Sequence, residues 1–453
     1  MKIDFIKKGA ETRLILIFAG WSTDARYYHD CLVDGWDTAV VYDYSDMTMP
    51  VIPEQYQIIY LFAYSMGVWA ASHCAIDASM RVAICGTCAP VSDYLGIPDA
   101  VFNATAAGLS QRSLVKFHRR MAGDRQTFDS MVTRLPESID IEALRAELYF
   151  ISANSKGEWN AEYRWDRAYI AEEDNIIPTD NQIRFWEEFT DTPTVRLACA
   201  HAADIAAIVR QCVPDPLAVG QGFEKALTSY RRNATVQAEV CDRIGDKLRI
   251  MYGTGCDHVG SLLEIGVGSG MLTEVWGEII RPSEATYVDL YEISPQRRAE
   301  RETYVVADAE KWLEESGSCF DLILSASTIQ WFVDPVRFVD TVRKHLNPGG
   351  MAVISTFVAG NLEQLDSLRP SPIIYRSADD YRKVDGVMSE EWSRTLRFRS
   401  ARELLMHLRH TGVTPATGGR LKKAGVTAKA WRLTELPTEL TYRPMIIIVN
   451  ASQ

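Results

Sequence analysis

Two short stretches of the 453-residue chain combine residue types that can do chemistry. The first is Ala63-Tyr64-Ser65-Met66-Gly67. It follows the apolar run Gln57-Ile58-Ile59-Tyr60-Leu61-Phe62 and precedes the helix-like Val68-Trp69-Ala70-Ala71-Ser72-His73. Strand, small-x-Ser-x-Gly and helix form the setting that lifts a Ser hydroxyl clear of a sheet as a nucleophile. Ala63 stands where glycine is more usual. The second stretch is Glu264-Ile265-Gly266-Val267-Gly268-Ser269-Gly270, between the apolar Leu262-Leu263 and the helix-like Met271-Leu272-Thr273-Glu274-Val275-Trp276. Glycines at alternate positions allow positive φ and close approach of backbone to a ligand. The following helix start points free N–H groups at whatever fills the turn. This spacing departs from the dinucleotide Gly-x-Gly-x-x-Gly, so an amino-acid-bearing nucleoside is expected rather than a pyrophosphate.

A nucleophilic Ser needs an acid and then a His later in the chain. Of eight histidines, His73 sits on the elbow helix, His118 in a basic helical segment, and His258 and later ones in the other half. That leaves His201, just after the strand-like Thr194-Val195-Arg196-Leu197-Ala198-Cys199. For the acid, Ala168 to Pro178 reads as strand, acidic turn, then apolar-Pro; Asp174 is the choice, with Glu173 and Asp180 as rivals. The oxyanion hole would use the Met66 N–H and the N–H of Trp21, in the loop after strand Arg13 to Phe18. In the second half, the strand Ala285 to Glu292 ends in an acid placed to accept from ribose hydroxyls. Glu292 fits the strand end better than Asp289. Tyr304 to Ala309 ends in Asp308, which can accept from an adenine amino group. The strand Phe320 to Ser325 follows, then Ile329-Gln330-Trp331-Phe332 and the strand Met351 to Thr356.

Strands alternating with helices imply α/β architecture with mainly parallel sheets. The length allows two or three domains. Val213 to Gly222 carries two prolines and two glycines, so the seam is set there, giving domains 1–215 and 216–453. Phe223 to Leu248 reads as one or two helices. A long insertion, about 98–148, contains the amphipathic basic helix Leu109 to Met121. Arg112, Lys116, Arg119, Arg120 and Arg125 make a positive patch in a chain of net charge -12. That net charge argues against general nucleic-acid binding. Met1-Lys2-Ile3-Asp4-Phe5 has no signal pattern, and no apolar run reaches the roughly 18 residues of a membrane span. Nine irregularly spaced cysteines read as reduced thiols of a cytoplasmic protein. Cys85-Gly86-Thr87-Cys88 has no second pair, so it reads as a packed strand end and no metal is expected.

The glycine loop with acids at the next two strand ends resembles class I S-adenosylmethionine-dependent methyltransferases. Tyr230 to Gln237, Ser325 to Phe332, the run Ile354 to Leu365, and Arg397 to Gly412 narrow this. They look like the malonyl-[acyl-carrier protein] O-methyltransferases of biotin synthesis, over about residues 223–445. Gln364 is an insertion in that family's Ser-Thr-x-x-x-Gly-x-Leu-x-Glu-Leu run. The resemblance implies a Rossmann-like domain and a cofactor set of Glu264, Gly266, Gly268, Gly270, Glu292, Asp308 and Ser325. Tyr230 and Trp331 would wall the sulfonium. The first half is similar to the pimeloyl-[acyl-carrier protein] methyl ester esterases, small α/β-hydrolases with a helical lid. Phe18-Ala19-Gly20-Trp21, the Ser65 stretch, Tyr94 to Pro98, Gly108-Leu109-Ser110 and Lys116 to Met121 carry it. Ala202-Ala203 follow His201 where an aromatic residue is usual. Together the resemblances imply a bifunctional enzyme. One half caps the carboxylate of malonyl-acyl-carrier protein with a methyl; the other removes it from the pimeloyl ester through Ser65, Asp174 and His201. The acidic carrier would dock on Arg112, Lys116, Arg119 and Arg120, and on a second cluster of Arg394, Arg397, Arg399 and Arg402. A generic carboxylesterase or a non-catalytic carrier-docking module is the alternative for the first half.

Overall fold

The computed structural model describes residues 1–156, 159–253, 259–293, 296–365, 371, 373–411 and 437–451. Gly412 and His258 lie outside them. The chain divides into two α/β units that part between Gln211 and Cys212.

In the first unit β1 is Lys2–Lys7, β2 Arg13–Phe18, β3 Asp37–Tyr42 and β4 Ile58–Tyr64; then come α1, Met66–Cys74, and β5, Met80–Ile84. Four helices follow: α2 Asp99–Ala107, α3 Gln111–Ala122, α4 Arg125–Val132 and α5 Ile141–Asn154. β6 is Arg167–Ala171, α6 Thr179–Glu188, β7 Thr194–Leu197 and α7 Ile205–Cys212. The sheet order is β1-β3-β2-β4-β5-β6-β7. Only β1 runs antiparallel to its neighbour. The inner strands are apolar runs rather than alternating patterns, because both of their faces are covered; β2 and β4 are buried almost throughout. Edge strand β1 alternates instead.

The second unit opens with α8, Pro216–Asn233, and α9, Thr235–Tyr252, broken at Ala234. The expected seam at 215/216 falls at the start of α8. Asp215 caps it by accepting from the Ala218 amide at 3.1 Å, and Pro216 takes the first turn, where its missing N–H costs nothing. The expected linker is therefore helix; Gly220 packs so closely that a Cβ would sit 3.1 Å from the Leu290 side chain. Then come β8 Ser261–Ile265, α10 Met271–Gly277, β9 Glu284–Asp289, β10 Arg301–Val306, α11 Ala309–Ser316, β11 Phe320–Ser325, α12 Pro335–Lys344 and β12 Leu346–Phe357. The rest is α13 Ala378–Arg382, β13 Val387–Glu391, β14 Arg394–Arg397, α14 Ala401–His410, β15 Glu439–Tyr442 and β16 Pro444–Asn450. The sheet order is β10-β9-β8-β11-β12-β16-β13, with β14-β15 a separate ribbon. β8 to β12 pair in parallel, while β16 runs antiparallel to both neighbours.

In both sheets two adjacent strands send the chain in opposite directions. After β2 it turns to β3, and after β4 to β5; after β8 it turns to β9, and after β11 to β12. The carboxyl ends of such pairs leave a crevice where open α/β sheets bind ligands.

Candidate active sites

At the first crevice β4 ends at Tyr64 and α1 begins at Met66, so Ser65 alone takes the reversal, with φ 56 and ψ -120. A non-glycine residue holds such a backbone only where its surroundings impose it. Here α1 lies so tightly against β2 that a Cβ on Gly67 would be 2.3 Å from the Phe18 carbonyl oxygen. Ser65 Oγ lies 2.9 Å from His201 Nε2, and His201 Nδ1 lies 2.7 Å from Asp174 Oδ2. All three side chains are buried. Asp174 Oδ1 also accepts from the Ile176 and Ile177 amides at 2.8 and 3.0 Å, and Oδ2 from Gln182 Nε2 at 2.9 Å. Four donors thus fix the carboxylate. With Nδ1–H donating to it, His201 Nε2 is left to accept the Ser65 proton. The Tyr64 hydroxyl donates to the His201 carbonyl at 3.0 Å and holds that loop. The rival acids Glu173 and Asp180 are exposed.

Trp21 and Met66 line the same cavity as Ser65 and His201, about 560 Å³ including its mouth. Among the described residues neither amide donates to a backbone carbonyl. The walls are mostly apolar, and part of them comes from the 98–148 insertion: Phe102 of α2, Phe117 and Met121 of α3, Leu148 of α5. The structure carries the last of these helices to Asn154. Arg120 is the one cation among the lining residues. Arg112, Lys116 and Arg119 are exposed on α3 with it, and among the described residues none of the four makes an ion pair. Arg125 faces Asp129 at 3.6 Å. His118 turns inward to Ser22 Oγ at 3.0 Å, and burial pushes its pKa down to about 4, so it adds no charge to the patch. In the second unit Arg394 and Arg397 are paired with Glu239 and Glu439, while Arg399 and Arg402 are exposed.

The second crevice is a cavity of about 1080 Å³ including its mouth, where β8, β9, β10 and β11 end. Gly266 and Gly268 hold left-handed φ of 70 and 53, and a Cβ on Gly266 would lie 2.2 Å from Thr328 Oγ1. The Gly268 amide donates to Asp289 Oδ2 at 2.8 Å, and the Leu290 amide to Oδ1 at 2.7 Å. Burial raises the Asp289 carboxyl, against the pull of these bonds. Asp308, Tyr230 and Trp331 also line the cavity. Trp331 meets Phe223 edge-on at 5.4 Å. Glu310 accepts from the Val333 and Asp334 amides at 2.7 and 3.0 Å, which anchors the loop carrying Trp331.

Four expected cofactor residues lie elsewhere. Glu292 is exposed and outside the cavity; Asp289 is the acid that faces it, because its carboxylate binds the turn amides and ends the strand there. Glu264 is fully buried and accepts from Thr273 Oγ1 at 2.9 Å and Trp276 Nε1 at 2.6 Å, so it ties α10 to β8. Burial pushes its pKa up to about 7. Ser325 donates to the Ile265 carbonyl at 2.9 Å, bridging β11 to β8. Gly270, at φ 76, turns the chain into α10 without lining the cavity. In the sequence Asp289 was weighed and set aside for Glu292, while Gln182, Thr328 and Phe223 carry no motif that marks their place here. Among the described residues no group of three His, Cys, Asp or Glu could hold a metal ion, and no helix is long and apolar enough to cross a membrane.

The family described as pimeloyl-ACP methyl esterase BioG matches residues 1–201, and a methyltransferase domain matches 231–412. A Bacteroides fragilis protein named malonyl-[acyl-carrier protein] O-methyltransferase is 29% identical over 460 residues, covering 96% of this chain and 92% of its own length. A protein of the same name from Chlorobium phaeovibrioides is 31% identical over 256 residues, 52% of this chain and 97% of its own length. Among solved structures, BioG from Haemophilus influenzae aligns at 28% identity with a TM-score of 0.42, over 44% of this chain and 94% of that one.

Proposed function

Because the chain belongs to the malonyl-[acyl-carrier protein] O-methyltransferase family, we propose that its domain 216–453 methylates the free carboxylate of malonyl-acyl-carrier protein with S-adenosylmethionine. We propose in addition that domain 1–215 is an α/β-hydrolase with a helical lid that hydrolyses the methyl ester of pimeloyl-acyl-carrier protein. Both steps belong to the building of pimelate for biotin, in the cytoplasm.

The residues at the glycine-loop cavity fit such a cofactor. The left-handed glycines keep side chains out of the cradle, and Asp289 and Asp308 offer acceptors for hydroxyl and amino groups. Tyr230 and Trp331 offer π faces to a sulfonium, worth on the order of 0.5–2 kcal/mol. When bound, S-adenosylmethionine would supply an electrophilic methyl for a carboxylate oxygen, a transfer that needs no proton to move. A carboxylate is ionised near pH 7, since its ordinary pKa is about 4. The protein therefore needs no general base there, and its residues orient the acceptor and exclude water.

The observation that carries the hydrolase reading is the buried chain from Ser65 through His201 to Asp174, at a strained strand-to-helix turn. Ser65 Oγ would attack the ester carbonyl as His201 takes its proton. The Trp21 and Met66 amides would hold the oxyanion, and methanol would leave with the proton from His201. Water, activated by the same His, would then free the carboxylate from Ser65. The unpaired cations on α3 suit an acidic carrier.

Intact-mass spectrometry of malonyl- and methyl-pimeloyl-carrier protein, with and without S-adenosylmethionine, tests both halves. The first carrier is expected to gain a methyl only with the cofactor, and the second to lose one without it. Ser65→Ala should stop the loss and leave the gain. Hydrolysis of short soluble esters with none on the carrier would replace the second activity by a generic carboxylesterase. No hydrolysis by the wild type would leave a docking module.

A further inference from the structure

The glycine-loop cavity runs on into a smaller one of about 350 Å³ including its mouth. The two share Phe223, Tyr230, Gln237, Ser327 and Trp331. Gln330 and Tyr442 line only the smaller one. Two features set it apart. Among its described lining residues there is no Asp, Glu, Lys, Arg or His. Yet three of its lining residues each carry a polar atom that is buried with no hydrogen-bond partner: Gln237 Oε1, Gln330 Oε1 and Ser327 Oγ. Gln237 is 6% and Gln330 9% exposed. Native interiors rarely leave such atoms unpaired, and three around one cavity mark a place where a polar ligand completes them. Gln330 Nε2 donates to the Ser327 carbonyl at 2.6 Å, which commits its Oε1 to accepting. Gln237 Oε1 has no partner among the described residues, so rotation about the last bond of its amide presents either N–H or oxygen.

We propose that this uncharged pocket is the acceptor site: the Ser327 hydroxyl and the Gln237 amide N–H hold the malonyl carboxylate, and Gln330 Oε1 accepts from an amide N–H of the thioester-bearing arm. This deepens the methyltransferase reading and rests on it. A fixed cation would look like the better partner for a carboxylate. It would bind the acceptor tightly, however, and lose that attraction as the O–CH₃ bond forms and the carboxylate charge disappears. Binding that is stronger in the ground state than in the transition state slows the step. Neutral donors orient the anion without that penalty, and they release the neutral ester. The aromatic walls exclude water, which would otherwise solvate the anion.

The test separates acceptor from cofactor. Gln330→Met touches only the smaller pocket. It is expected to raise KM for malonyl-pantetheine about tenfold, the size of one lost buried hydrogen bond, while calorimetric affinity for S-adenosylhomocysteine stays unchanged and shows the domain folded. Gln237→Lys is expected to lower KM for the same thioester and to lower kcat about tenfold or more, a split that a purely structural role does not give. Unchanged KM in Gln330→Met, or unchanged or higher kcat in Gln237→Lys, overturns the pocket assignment alone. A wild-type protein that methylates no malonyl thioester sinks the functional reading and the pocket with it.

Discussion

Gly266 and Gly268 share left-handed backbone, φ 70 and 53, but a methyl group added at each meets different surroundings. At Gly266 it would lie 2.2 Å from Thr328 Oγ1, 2.4 Å from its Cγ2 and 2.7 Å from its Cβ, so no Thr328 rotamer relieves the clash. At Gly268 the nearest atom outside the loop is Tyr291 Oη at 3.7 Å, an ordinary contact. Left-handed strain costs about 1–2 kcal/mol at either position. Overpacking adds about 1–3 kcal/mol at Gly266 only. Gly266→Ala should therefore lose about 2–5 kcal/mol of domain stability, and Gly268→Ala about 1–2 kcal/mol. Ligand binding isolates the second site, because the Gly268 methyl would project into the cavity. Its affinity for S-adenosylmethionine should fall about tenfold or more, which is about 1.4 kcal/mol. The double variant Gly266→Ala/Thr328→Gly should regain the overpacking share, a coupling of about 1–3 kcal/mol. Urea unfolding measures the stabilities; the transition of this domain is the one that S-adenosylmethionine shifts. Calorimetry measures affinity. A Gly266→Ala variant no less stable than Gly268→Ala, or a Gly268→Ala variant with wild-type affinity, refutes the reasoning.

Asp174→Asn should lower kcat for the carrier-bound methyl ester on the order of 10⁴-fold, by turning His201 to the wrong tautomer, and leave methyl transfer alone; paired rate assays check it. Glu264 titrates near 7 in the folded chain against an ordinary 4.5. Between those values the unfolded chain loses a proton that the folded one keeps, so stability falls as pH rises through the window and is level above it. The span is on the order of 3 kcal/mol. Glu264→Gln should flatten it in the cofactor-shifted transition, and an unaltered slope would count against the assignment. Replacing Arg112, Lys116 and Arg119 by Glu should raise KM for the carrier-bound ester about tenfold at low salt, less at high salt, without slowing hydrolysis of a short soluble ester. An equal loss on both esters would make α3 structural rather than a docking face.

Ser65 was legible because strand, turn and helix are contiguous, and His201 because chain order left one candidate. Asp174 could be proposed but not separated from Glu173 and Asp180 by sequence. The separation comes from the Ile176 and Ile177 amides and from Gln182, which reaches back from α6. Glu264 misled for a related reason. An acid before a glycine loop has the same local pattern whether it faces a ligand or, as here, a Thr and a Trp of the next helix. Glu292 was preferred because the strand was read three residues too long; Asp289 ends it by binding the Gly268 amide of the glycine loop and the Leu290 amide that follows it. Pro216 and Gly220 read as a linker, yet one starts a helix and the other lets that helix lie against Leu290. At Asp174, Asp289 and Gly220 the deciding contact comes from another element of the fold, where composition and periodicity carry no information.

On the proposed reading the two crevices make and break the same kind of ester bond, and they treat charge in opposite ways. Hydrolysis builds negative charge on a carbonyl oxygen. The Trp21 and Met66 amides offer fixed dipoles for it, and Arg120 adds a cation to that cavity. Methylation of a carboxylate removes charge, and the pocket beside Trp331 has no ionisable Asp, Glu, Lys, Arg or His among its described lining residues. A topological switch point gives each sheet a crevice but not its polarity. The polarity comes from what covers the crevice: a cationic helix inserted between β5 and β6 in one domain, aromatic and amide side chains from α8, α9 and the turn after β11 in the other. Adding a positive charge should therefore slow the methylating pocket through kcat, whereas removing one at Arg120 should weaken the hydrolytic side. Arg120→Gln is expected to lower kcat/KM for the carrier-bound ester while leaving methylation unchanged. Equal loss in both reactions would mean that the charge at that cavity serves folding and not the ester.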